Sequence, residues 1–204
     1  MDVWYVSFGS NIFQERFLCY INGDRPHGST KKETGCEDKT PPKASEKVEL
    51  AYPLYFSKER SKWGEGGVAF IGHETMNNTM TIGRKYLITD EQFIEVVAQE
   101  NNQYDLDIDL HDVIEKGHKS VNSGWYGRLV YLGDKDGYPM FTFTSNQPID
   151  DTTFTKPSAA YLSTITSGLL ELGLSKDGIV EYFLNKNGIE ENFTKEALTH
   201  YLFS

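Results

Sequence analysis

The stretch VWYVSFGSNI, residues 3–12, joins a run of β-formers to an amphipathic pattern through a Gly-Ser-Asn step. Residues 3–7 read as a strand. Ile12, Phe13, Phe17 and Tyr20 then recur at helical spacing, so a helix is expected directly after the step. Gly9, lacking a Cβ, lets the backbone approach a ligand, and a helix start offers unpaired N–H groups and a positive dipole end. Gly9, Ser10 and Asn11 are therefore candidates for an anion cradle. The same residues also suit an ordinary glycine turn with a Ser or Asn N-cap, and three residues alone do not separate the two readings.

Around this stretch lie 204 residues, 38% of them hydrophobic, enough for one compact domain over residues 1–204 that buries about 70% of its unfolded surface. A net charge of -10 argues against nucleic acid or an anionic membrane as partner, since both reward clustered Lys and Arg. A small molecule is the expected partner. Cys19 and Cys36 stand outside any C-x-x-C spacing and read as free thiols. With neither a basic-then-apolar leader nor a run of 18 apolar residues, a cytoplasmic protein is expected.

Residues 22–47 are nearly devoid of large apolar side chains and are expected to form a long, mobile loop. Three β-like runs follow, at 48–57, 66–72 and 79–88. Thr89 and Gln92 stand at capping-box spacing, which places a helix over 90–100. A polar connection over 102–120, with a short helix around 107–116, leads to two strands joined by the turn DKDG, residues 134–137. From Pro157 the pattern is helical: Tyr161, Ile165, Gly168, Leu169 and Leu172 share a face, Gly173 serves as a stop, and two shorter helices follow. Strands interleaved with few helices suggest α+β with a mixed or closed sheet.

Glu100 is the second chemical candidate. It falls on the stripe of Phe93, Val96 and Val97 and not with Glu91 and Glu95. In the last turn of its helix both the dipole and loss of water oppose a fixed negative charge, which suits a general base. The alternative is a terminal-turn Glu that frays into solvent. Other motifs carry less. The glycines of WGEGGVAF, residues 63–70, precede a strand and match no phosphate loop, and DKDG lacks the remaining ligands of a calcium loop. His27, His73, His111, His118 and His200 show no zinc spacing, and Ser10 lies outside a G-x-S-x-G elbow.

Residues 5–12, YVSFGSNI, resemble the Y-x-x-Y-G-S-N-[LM] loop of the γ-glutamylcyclotransferases, with Phe8 in place of the second Tyr. WGEGGVAFI (63–71) looks like that family's W-x-G-G-[IV]-A strand. The path from Gly83 to Glu100 resembles its route to the catalytic glutamate. SGWYGRLV (123–130) and KPSAAYLSTITSGLLELGL (156–174) resemble its later strand and its P-S-x-x-Y helix. The resemblance runs from residue 3 to about 185, interrupted at 22–47 and 102–120. It departs at 96–101, which lack the family's Asp and Gly beside the glutamate, and at Phe141, where a Tyr is common.

The resemblance implies a β-barrel-like mixed sheet with flanking helices, and an enzyme acting on a γ-glutamyl amine or amide. Glu100 would be its acid and base. The substrate-binding set would be Tyr5, Val6, Ser7, Phe8, Gly9, Ser10 and Asn11 with Tyr126 and Phe141, the loop amides holding the substrate's polar end. No metal or cofactor is implied. Two other readings stay open: a non-catalytic binding or regulatory module on the same fold, and a related acyl transfer or removal on another amine.

Overall fold

The structure, a computed structural model, describes residues 1–26 and 32–203. Residues 27–31, His27 among them, and Ser204 lie outside the described residues. The strands are β1 (Asp2–Ser7), β2 (Ala44–Leu50), β3 (Leu54–Ser57), β4 (Arg60–Ser61), β5 (Gly64–Glu65), β6 (Val68–Ile71), β7 (Thr81–Thr89), β8 (His118–Ser120), β9 (Arg128–Lys135) and β10 (Tyr138–Thr144). The α-helices are α1 (Gln14–Asn22), α2 (Asp90–Asn101), α3 (Leu110–Lys116), α4 (Ala159–Glu171), α5 (Lys176–Leu184) and α6 (Lys195–Phe203).

Six strands form one mixed sheet in the order β2-β7-β1-β10-β9-β8. β1 runs antiparallel to β7 and parallel to β10. The sheet is open, which corrects the barrel-like expectation. Its edges explain why: β8 has three residues, and β2 carries Glu46, Lys47 and Glu49 on a largely exposed strand, features that blunt an edge against further pairing. The run expected at 48–57 is two strands, because Pro53, which has no N–H to donate, interrupts it between β2 and β3. β9 and β10 turn through Asp136 and Gly137, both at positive φ (54° and 84°), the signature of a two-residue hairpin.

The chain divides into two compact units, each assembled from three segments. The first comprises Met1–Ser7, Glu15–Val48 and Arg84–Asn146. Its core is aromatic. The Tyr5 ring lies 5.4 Å from Phe143, 5.5 Å from Phe17 and 5.8 Å from Phe93, all buried. α2 packs its stripe of Phe93, Val96 and Val97 here, each fully buried. The helix begins with the capping box anticipated from sequence: Gln92 N–H donates to Thr89 Oγ1 and Thr89 N–H to Gln92 Oε1, both at 3.1 Å.

The described part of 22–47 is docked, not free. Gln92 Nε2 donates to the carbonyls of Asp38 and Thr40, Gly35 N–H to Gln99 Oε1, and Glu37 N–H to Glu95. Cys36, in a segment of polar composition, is 2% exposed. The segment contributes few apolar side chains, so α2's amides and carboxylate bind its backbone instead.

The second unit comprises Phe8–Gln14, Glu49–Gly83 and Gln147–Ser204. β3 pairs with β6, β4 with β5, and α4 to α6 follow. Ser158 and Ser175 cap α4 and α5 through N–H groups three residues on. Gly173, at φ 86°, ends α4 with the paired bonds Gly173 N to Leu170 O and Leu174 N to Leu169 O, the stop anticipated from sequence.

Candidate functional site

The loop after β1 is built in the second unit. Residues Ser10–Ile12 form a single 3-10 turn, closed by Ile12 N–H to Gly9 O at 3.0 Å, and Phe13 is extended (ψ 115°) before α1 begins at Gln14. No α-helix starts at the Gly-Ser-Asn step, which corrects that expectation and removes a full helix dipole from the cradle. The cause lies on α4. A Cβ at Gly168 would stand 2.4 Å from Phe13 N and 2.5 Å from the Ile12 carbonyl carbon, so the turn is pressed onto bare helix backbone and Ile12 is fully buried. The chain must bend at Phe13 before a new helix can form.

Gly9 also has a packing reason to be glycine. A Cβ there would meet Tyr161 Oη at 2.9 Å and Ala69 Cβ at 3.5 Å. Tyr161 Oη accepts the Ala69 N–H at 3.1 Å, and its ring lies 5.3 Å from that of Trp63. Ser158 Oγ donates to Trp63 O, and Gly67 N–H to Lys156 O. Three motifs far apart in sequence, FGSNI, WGEGGVA and KPSAAY, thus converge on the Tyr161 hydroxyl. Phe8, Ser10 and Asn11 are buried. In the first unit Val6 and Ser7 are buried, and Val6 O accepts from Thr142 Oγ1 at 2.7 Å.

Glu100 sits half-buried in the last turn of α2, in the first unit. Its partners come from α1. Arg16 Nη2 donates to Tyr20 Oη at 2.7 Å and to Glu33 Oε1 at 2.7 Å, and the guanidinium carbon lies 4.3 Å over the Tyr20 ring. Tyr20 hydrogen-bonds Glu100. Because the tyrosine oxygen accepts from Arg16, its own proton is the one available to the carboxylate. Burial pushes the Tyr20 hydroxyl well above its ordinary range, and Glu100 adds to the shift while Arg16 opposes it. Burial works against the charge of Arg16, and Tyr20, Glu100 and Glu33 outweigh it, so its guanidinium is held above its ordinary value.

The sequence reading missed Arg16 and Glu33 and used Tyr20 only as part of a helical stripe. The signal was present as an Arg-Tyr pair at i, i+4 on α1. α2 ends at Asn101. Asn102, at φ 49°, takes the left-handed position, and Asn101 exchanges hydrogen bonds with the backbone of Tyr126. Tyr126 is half-buried with its ring edge-on to Phe143 at 5.7 Å. Phe141 is fully buried, stacked on Phe93 at 5.6 Å, and belongs with Tyr5 to the aromatic core. Among the described residues no three His, Cys, Asp or Glu side chains cluster as a metal site, no helix is long and apolar enough to cross a membrane, and Cys19 and Cys36 are free.

The fold is similar to that of a gamma-glutamyl cyclotransferase of known structure, with a TM-score of 0.51, 15% identity and 98% of each chain covered. An uncharacterized protein from Homo sapiens is similar to the same degree, with a TM-score of 0.52, 15% identity and 98% of each chain. No family model matches the sequence. A curated relative, histone deacetylase 5 of Arabidopsis thaliana, is 37% identical over a 194-residue alignment, with 87% of this chain covered. The match spans only 29% of that relative's length.

Proposed function

We propose that this chain is a cyclotransferase-like enzyme that acts on a γ-glutamyl amine or amide. The observation that supports this best is the likeness to a gamma-glutamyl cyclotransferase over nearly the whole of both chains. The Glu100 carboxylate, held by a tyrosine hydroxyl, is the group in this fold suited to the proton work. The substrate's α-amine attacks its own γ-carbonyl, a new C–N bond closes the five-membered ring of 5-oxoproline, and the bond to the leaving amine breaks. Because the step is intramolecular, much of its acceleration comes from holding a folded substrate. Glu100 takes the proton from the attacking amine and delivers it to the departing one. N–H donors steady the tetrahedral oxyanion.

The test is to incubate the protein with a panel of γ-glutamyl amines and follow 5-oxoproline by mass spectrometry. Wild type releases 5-oxoproline, and Glu100→Gln, which keeps the shape but cannot accept the proton, lowers the rate by about a hundredfold or more. Activity that is absent in wild type, or equal in the variant, overturns the assignment. The curated relative's name favours one second reading, removal of an acyl group from an amine, which also cleaves an amide C–N bond. An acetyl-lysine peptide run beside the panel separates the two by which amide is cleaved.

A further inference from the structure

The second unit contains a groove of about 700 Å³, large enough for a small organic ligand. None of Gly9, Ser10, Asn11 or Glu100 lines it. Leu54 and Tyr182 form part of its wall and are 2% and 7% exposed, while Met76 and Met80, at 52% and 43%, stand among the most exposed large apolar side chains of the protein. Lys186, just beyond the C-terminal end of α5, also lines the groove and is only 9% exposed.

The ammonium of Lys186 is singular. It donates one proton to Met80 O at 2.6 Å and lies 4.7 Å from the centre of the Tyr182 ring. No carboxylate pairs with it among the described residues. Of the acidic groups lining the groove, Glu181 is exposed and bound to Lys195, and Asp150 is exposed. A lysine buried to this degree is ordinarily paired with an anion. Burial without such a partner lowers its pKa from the ordinary lysine value. We infer that the groove binds a small carboxylate with an apolar body, its carboxylate on Lys186 Nζ and its body against Leu54, Met76 and Met80. The charged head would replace the missing counter-ion, and the body would cover the exposed methionines.

Sodium octanoate is a probe of this chemistry, and 1-octanol is its uncharged counterpart. Titration calorimetry is expected to give saturable octanoate binding, stronger than that of octanol by about tenfold or more, as suits a charge-assisted hydrogen bond. Lys186→Met should abolish that preference while leaving octanol binding in place. In wild type carrying isotope-labelled lysine, with the Lys186 signal assigned through Lys186→Arg, octanoate should move the Lys186 side-chain resonance and octanol should not. This reading does not depend on Lys186→Met folding. Absence of saturable octanoate binding, a preference that survives in Lys186→Met, or an unmoved Lys186 resonance overturns the proposal.

Discussion

At Gly9 and Tyr161 a single missing carbon and a single hydroxyl are matched. The backbone at Gly9 passes so close to Tyr161 Oη that an added methyl would stand 2.9 Å from it. Gly9→Ala is therefore expected to cost about 1–3 kcal/mol as an overpacking substitution, measured by urea unfolding. Tyr161→Phe removes both the clashing oxygen and the acceptor of the Ala69 N–H. The two substitutions should then be non-additive, with Gly9→Ala less damaging in the Tyr161→Phe background. Tyr20 poses a different test. If its hydroxyl positions the Glu100 carboxylate for the proposed reaction, Tyr20→Phe lowers kcat by about tenfold to a hundredfold with little change in KM, the scale of one hydrogen bond to a charged group. A fall in stability alone, with kcat intact in the folded fraction, would show a packing role.

The elements whose ends were legible in sequence are those closed by local chemistry. Thr89 and Gln92 satisfy each other's backbone N–H groups across one turn, so α2 starts where the spacing says. Thr89→Ala should cost about 1 kcal/mol in denaturant unfolding. Asp136 and Gly137 fix their hairpin, and Gly173 stops its helix, for reasons contained within four residues. Elements governed by distant contacts were not legible. Nothing in residues 10–14 announces that Gly168 will receive them and break the helical run, and apolar spacing alone reads through the break. The docking of 35–40 on α2 is equally hidden, because Gln92 and Gln99 bind backbone atoms that leave no pattern in sequence. For the candidate site, Glu100 was visible as a carboxylate on an apolar stripe, whereas its partners on α1 depend on how two helices meet.

For the whole molecule, the buried thiol of Cys36 gives a measurable pH dependence. Burial first, and Glu95 next to it, push its pKa from 9.0 up to about 12. The folded form thus keeps its proton where the unfolded chain loses it. The stabilising effect is complete below pH 9 and is lost progressively between about pH 9 and 12, with a slope of at most about 1.4 kcal/mol per pH unit from this group. Wild type should therefore lose stability over that window more steeply than Cys36→Ala. Iodoacetamide at pH 8.5 should label Cys36 far more slowly in the folded protein than in urea.

The two units draw on six alternating segments of the chain, and this division bears on how the protein is made. β1 leaves the ribosome well before its sheet partners β7 and β10, which follow roughly 80 and 136 residues later. An apolar strand with two unsatisfied edges must wait until both partners have emerged, the condition in which nascent chains depend on chaperones. Force-sensing arrest peptides placed along the coding sequence should register no folding tension until the β9–β10 hairpin has emerged. A contiguous fragment ending before it should remain unable to refold.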